Sequence, residues 1–291
     1  MHPKGRALSF CCLFTSILTP EHGIHFIKRR FTIAFYTANA HNISRITSHP
    51  NVDFTVVINP DSGPGNTSQY PNEAYTSGIQ KLNAYQNVKT IGYVRTGYAI
   101  RDPNEVLLDI SIYSGWAQHP NKSDIAMHGI FFDEVVYEYS EGNANYLKLI
   151  NQAAKNASGL LSDKLVCATF TIGFYHCSQS GKLTFLQIVH NPGVVPDSRL
   201  QEPNTDVTVV FEQSYQKYSN LKTSLNDLSN NRTEYSYIVH SLPQDMGKGK
   251  LKSYVNDLSK RAKYLFVTDS NQGYYEKFGE NWATFLDVFP S

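Results

Sequence analysis

Short, continuously apolar runs alternate along this chain with segments that are apolar on one face only. The runs are "FTIAFY" (31–36), "DFTVVINP" (53–60), "VKTIGYVRT" (88–96), "GIFFDEV" (129–135), "LQIVHNP" (186–192), "DVTVVFEQ" (206–213), "YSYIVHSLP" (235–243) and "YLFVTD" (264–269). They are rich in Val, Ile, Phe and Tyr and too short for helices, so each predicts a strand covered on both faces. Between them "EAYTSGIQKLNAY" places Tyr75, Ile79, Leu82 and Tyr85 near one helical face. "PNEVLLDISIYSGWA" opens on a Pro-Asn turn and continues as a helix, while "NANYLKLINQAAKNA" and "KGKLKSYVNDLSKRA" are amphipathic. Eight strands in this rhythm predict an α/β fold, a (β/α)8 barrel of TIM type, as a single domain over 31–291. A doubly wound open sheet is the competitor, but no G-x-G-x-x-G follows the first strand.

The strands end in polar groups: Asn59, Thr96 with Tyr98, Asp133 with Glu134, Asn191, Glu212, His240 and Asp269. In a (β/α)8 barrel all such ends open on one face, so residues distant in sequence converge there. A carboxylate directly after "IFF" or "TVVF" is costly if buried alone. Asp133, Glu134 and Glu212 are therefore the candidate catalytic set, although one carboxylate by itself could merely cap a helix or pair with an Arg. Paired carboxylates at a cleft are the machinery of glycoside hydrolysis: one protonates the leaving oxygen and the other attacks or activates water. Strand alternation turns Asp133 and Glu134 to different sides.

The stretch "FTVVINPDSGPG" raises a related question, since a buried strand runs straight into a rigid polar turn. Pro60 and Pro64 fix φ while Gly63 and Gly65 permit unusual turns, so Asn59 and Asp61 would be held firmly. With Tyr93, Tyr98, Asn191 and Asp269 they form the candidate substrate-binding set, Tyr98 being the preferred sugar-stacking platform. Other chemistries fit less well. No G-x-S-x-G elbow and no P-loop lysine is present, and the His residues are scattered, so neither a metal nor a cofactor is expected.

Composition narrows the partners. The chain has 291 residues, 41% apolar and 18% charged, which is globular; a net charge of +1 leaves no electrostatic footprint for nucleic acid. Nineteen Tyr suit a sugar-binding cleft, because each offers an apolar face and a polar tip. Lys4 and Arg6 precede "ALSFCCLFTSIL", which reads as a signal peptide or short anchor within 1–22, with no other membrane attachment. A secreted or cell-surface setting follows. Cys167 and Cys177 then make a candidate local disulfide, and Asn42, Asn66, Asn121, Asn156 and Asn231 are candidate N-glycosylation sites.

The ordered set "FTVVINPDSGPG", "NVKTIGYVRTGYAIRDPNEVLLDISIYSGWA", "GIFFDEV", "NPG" followed by "PD", "DVTVVFEQSY" and "YLFVTD" resembles the spherulation-specific (spherulin 4) family, from about Asp53 to Phe289. The resemblance implies a (β/α)8 glycoside hydrolase, endo-acting and retaining. Its substrate would be the α-1,4-linked N-acetylgalactosamine stretches of galactosaminogalactan, a fungal exopolysaccharide. The family's proposed catalytic carboxylates lie in motifs matched here by Asp133, Glu134 and Glu212. Asp133 is preferred as nucleophile and Glu212 as acid/base, with Glu134 tuning them or binding sugar. The partner is then a polysaccharide, and a monomer is expected. "CATFTIGFYHCSQSGKLTFL" (167–186) stands as extra sequence before "NPG", and "FTIAFYTANA" departs from the family's first strand end. The competing reading is a non-catalytic carbohydrate-binding or wall-associated protein on the same barrel.

Overall fold

A computed structural model describes residues 30–36, 44, 46, 48–65, 69–121, 123–161, 186–226, 228, 232–276 and 278–289. The N-terminal 1–22 segment, the Cys167–Cys177 pair, residues 167–185 and the sequons at Asn42, Asn66 and Asn231 lie outside these residues. Asn121 and Asn156 are described, and both are exposed.

Eight parallel strands close into one barrel in chain order. They are β1 (Arg30–Tyr36), β2 (Val52–Ile58), β3 (Val88–Arg95), β4 (Gly129–Asp133), β5 (Gln187–Asn191), β6 (Val207–Ser214), β7 (Tyr235–His240) and β8 (Tyr264–Val267). The helices are α1 (Glu73–Asn83), α2 (Pro103–Gly115), α3 (Glu141–Asn156), α4 (Tyr215–Asn226), α5 (Lys248–Ser259) and α6 (Trp282–Asp287). Every predicted strand is present. The predicted strands overrun mainly at their polar C-terminal ends, where the chain leaves the sheet: after Asp133 and His240, Glu134 and Ser241 take positive φ of 52° and 58°.

The helix starts follow from local chemistry. Asn72 caps α1 by accepting from the Tyr75 N–H, and Ser140 caps α3 by accepting from the Asn143 N–H. Asp102 caps α2 ahead of Pro103, whose missing N–H costs nothing at that position. Helix α2 lies hard against the barrel, and Gly92 in the middle of β3 makes this contact feasible. A Cβ there would sit 2.6 Å from ring carbons of Tyr113, a fully buried side chain whose hydroxyl donates to the Ile58 carbonyl at 2.9 Å.

Two irregularities shape the functional face. Between β6 and β7 the register shifts, pairing Val209 with Ser236 but Phe211 with Tyr237, so Val210 is an extra residue. Thr208 and Val210 line a cavity in the outer wall with His190, Leu147 and Tyr235, and Phe211 packs outward on Tyr218 of α4. The bulge therefore gives β6 two outward residues in succession, and the next, Glu212, turns into the barrel. Strands β5 and β6 pair only at Val189–Val207 and His190–Thr208. Above that level they part, and the connection between them carries a single 3-10 turn, Ser198–Leu200, instead of an α-helix.

Candidate active site

Four side chains from four consecutive strands meet at the C-terminal end of the barrel. Asp133 (β4) accepts from the Tyr93 hydroxyl (β3) at Oδ2, 2.6 Å, and from the Asn191 amide (β5) at Oδ1, 2.8 Å. The same Asn191 Nδ2 donates to Glu212 Oε2 (β6) at 2.6 Å. One amide thus serves both carboxylates with its two hydrogens. Its orientation is fixed from behind, because Asn191 Oδ1 accepts from the Gly193 N–H at 3.1 Å. Legs of 2.8 and 2.6 Å to a common nitrogen bound the separation of Asp133 Oδ1 and Glu212 Oε2 at about 5.4 Å.

Glu212 has further donors. Its Oε1 accepts from Tyr274 at 3.0 Å and from Tyr275, both on the loop after β8. Tyr274 is stacked on His240 at 4.7 Å, which holds the donor in place. Gly193, at φ 68°, lies against Glu212: a Cβ there would be 3.5 Å from Glu212 Cβ. The Gly193 carbonyl also accepts the Glu212 N–H, at 2.9 Å.

These surroundings set the electrostatics. Burial pushes the Asp133 carboxyl above its ordinary range; the Tyr93 bond opposes this and the neighbouring Glu212 charge adds to it. Burial, then the charge of Asp133, keeps the Tyr93 hydroxyl protonated, so it remains a donor. Tyr274 and Tyr275 are pushed up by burial and by Glu212 in the same way. Behind the site His190 is buried, donates from Nε2 to Asn151 Oδ1 at 2.7 Å, and is lowered to about 3 by burial, so it stays neutral.

The remaining predicted residues take other places. Glu134 is at the rim, where its left-handed backbone redirects it and Arg95 Nε donates to it at 2.8 Å. Thr96 ties this corner by donating to the carbonyls of both Asp133 and Glu134. Tyr98 stands half exposed above Glu134 and donates its N–H to the Glu134 carbonyl at 2.6 Å. Asn59 staples its own turn, with Oδ1 accepting the Gly63 N–H at 3.1 Å, and Gly63 lies against Asp109, the partner of Arg101. The rigid polar turn thus braces β2 against α2. Asp61 is exposed, and neither it nor Asn59 is hydrogen-bonded to Asp133 or Glu212. Asp269 lies against Gly279, its Oδ1 buried without a hydrogen bond. Sequence reasoning passed over Tyr274 and Tyr275, whose signal is an adjacent Tyr pair after Gly273, a glycine at φ 58°.

Comparison with known proteins agrees with this picture. The model of spherulation-specific family 4 matches residues 39–289. Spherulin-4 of Physarum polycephalum is 26% identical over 229 residues; the match covers 76% of this chain and 57% of that protein, so the chain spans little more than half its length. The crystal structure of Aspergillus clavatus Sph3 in complex with GalNAc superposes with a TM-score of 0.76 at 32% identity, covering 89% of this chain and 96% of that one.

Proposed function

The chain belongs to spherulation-specific family 4, and on that footing we propose that it is a glycoside hydrolase that cuts an α-1,4-linked N-acetylgalactosamine polymer internally, with retention of configuration. The observation that carries the proposal is the single Asn191 amide bonded to both Asp133 and Glu212. It keeps the facing oxygens within about 5.4 Å, which supports the roughly 5–5.5 Å carboxyl spacing of retaining enzymes over the roughly 6.5–9.5 Å that leaves room for an inverting water. The sugar assignment draws on the GalNAc bound by the A. clavatus protein. An extracellular setting, expected from the N-terminal sequence, fits a polysaccharide substrate.

The roles we assign reverse the preference drawn from sequence. Glu212 accepts three donors, Asn191, Tyr274 and Tyr275, which suit a carboxylate anion and hence a nucleophile. Asp133 is pushed up by burial and stands beside that anion, so it is the carboxyl that carries the proton to the departing glycosidic oxygen. Water then attacks the glycosyl-Glu212 ester, with Asp133 taking the water's proton. Glu134, paired with Arg95 at the rim, is left to position substrate.

The test is release of soluble oligosaccharides from the polymer by the parent and by Glu212→Gln, both shown to be folded. Cleavage by the parent and its loss in the variant are expected. A folded parent that binds the polymer without cutting it would favour the binding-protein reading instead. Azide separates the roles on an activated α-glycoside: Glu212→Ala should yield the β-glycosyl azide and Asp133→Ala the α-azide. The opposite pairing would return the roles to Asp133 as nucleophile.

A further inference from the structure

Exposed apolar side chains are unevenly spread over this protein. Among the described residues eleven large hydrophobic side chains are exposed, and six of them, Tyr98, Ile100, Tyr137, Tyr139, Val194 and Val195, stand on the three consecutive loops that follow β3, β4 and β5. Those loops flank the carboxylates. Three of the four exposed tyrosines are among the six. An apolar patch of this kind, rimmed by polar groups, marks a binding surface more often than chance exposure does.

The loops are tied into one unit. The Tyr98 N–H donates to the Glu134 carbonyl at 2.6 Å, the Val135 N–H to the Asn191 carbonyl at 3.0 Å, and the Asp197 N–H to the Tyr137 carbonyl at 2.9 Å. The Asp197 carboxylate accepts from the Arg199 backbone N–H, Nε and Nη2, and the guanidinium so fixed lies 4.1 Å from the centroid of the Tyr139 ring. Tyr98 and Ala99 hold left-handed backbone, at φ 56° and 65°, and Glu134 beneath them does the same at 52°. Left-handed conformations are costly for a residue with a side chain and persist only where the surroundings impose them. Here they present a Tyr98 ring that is 50% exposed beside Glu134, Asp133 and Glu212, the three charges that raise its hydroxyl after its own desolvation.

We propose that Tyr98, Tyr137 and Tyr139 form an aromatic rail that holds further sugar units of the polymer whose scissile bond sits between Asp133 and Glu212. The proposal rests on the glycosidase reading above and extends it from the point of cleavage to the length of chain the protein grips. A pyranose offers a face of C–H groups to a flat ring while its hydroxyls remain in water, and Tyr supplies the ring with a polar tip that tolerates exposure. The rings stand on the β3 and β4 loops only, on one flank of the carboxylate pair, so the rail would take units on one side of the cut.

The test is calorimetric binding of α-1,4-linked N-acetylgalactosamine oligomers to Glu212→Gln protein, comparing a disaccharide with a longer oligomer. With Tyr137→Ala or Tyr139→Ala added, the long-to-short affinity ratio should fall roughly three- to tenfold. Tyr139→Phe, which keeps the ring, should keep the ratio. An affinity that grows with length in Glu212→Gln and grows equally in the Ala variants overturns the rail and leaves the glycosidase reading in place. No affinity for either oligomer in Glu212→Gln overturns the substrate reading and the rail with it.

Discussion

Asn191 is the residue on which the site's geometry turns, and Asp133 is the one on which its energetics turn. Burying a carboxyl beside another carboxylate raises its pKa, and a raised carboxyl pKa is a stability statement. Between the ordinary value of 3.8 and the higher folded value the native state binds more protons than the unfolded chain, so Asp133 lowers stability as pH rises through that window. Asp133→Asn should therefore melt at a higher temperature than the parent at pH 7 while losing activity, with the gap closing as pH falls toward 3.8. Equal melting at pH 7 would show that the buried charge carries no cost. Asp133, Glu212 and Asn191 were legible in the sequence because a polar residue ending an apolar strand has few places to go except the barrel mouth. Tyr274 and Tyr275 were not, because a loop has no period from which to read a direction.

At the level of elements, all eight strands and the helices α1, α2, α3 and α5 were legible from their periods, while α4, α6 and the bulge within β6 were not. Nor was handedness. Alternation rightly separates Asp133 from Glu134, but Glu134 lands at the rim beside Arg95 through a left-handed backbone that no side-chain pattern announces. Pro60, Gly63, Pro64 and Gly65 predict a rigid holder of Asn59 and Asp61 after β2. It is rigid, yet the visible use of Asn59 is to bond its own turn. Close approach is a further element-scale fact hidden from the pattern: α2 sits on β3 through Gly92 and Tyr113. Gly92→Ala should overpack this contact at a cost of about 1–3 kcal/mol. Thermal melting should show a lower Tm, and combining it with Tyr113→Leu should cost less than the two changes added together. A Gly92→Ala protein melting with the parent would mean that the helix can retreat freely.

For the whole molecule the barrel is evenly ordered by sequence but unevenly joined. Strands β1 and β2 pair over seven positions, whereas β1 and β8 pair at two, Phe31–Tyr264 and Thr32–Leu265. The β5–β6 junction is equally short but is braced by Asn191 on Glu212 and by Asp206 Oδ2, which accepts the Ile188 N–H at 2.7 Å. Opening should begin at the β1–β8 closure. Hydrogen-exchange mass spectrometry should find peptides of β1 and β8 losing protection before those of β3 and β4; uniform loss would contradict this. The β6 bulge carries a consequence of another kind. Thr208 and Glu212 stand an even number of positions apart, which in a regular strand would put both on one face; the extra residue Val210 lets Thr208 face out and Glu212 face in. A relative one residue shorter here could pair without a bulge and still present its carboxylate to the cleft, because removing Val210 leaves Phe211 opposite Tyr237 and Glu212 opposite Ile238. In this part of the chain, the bulge can absorb a difference in length that leaves the carboxylate where it is.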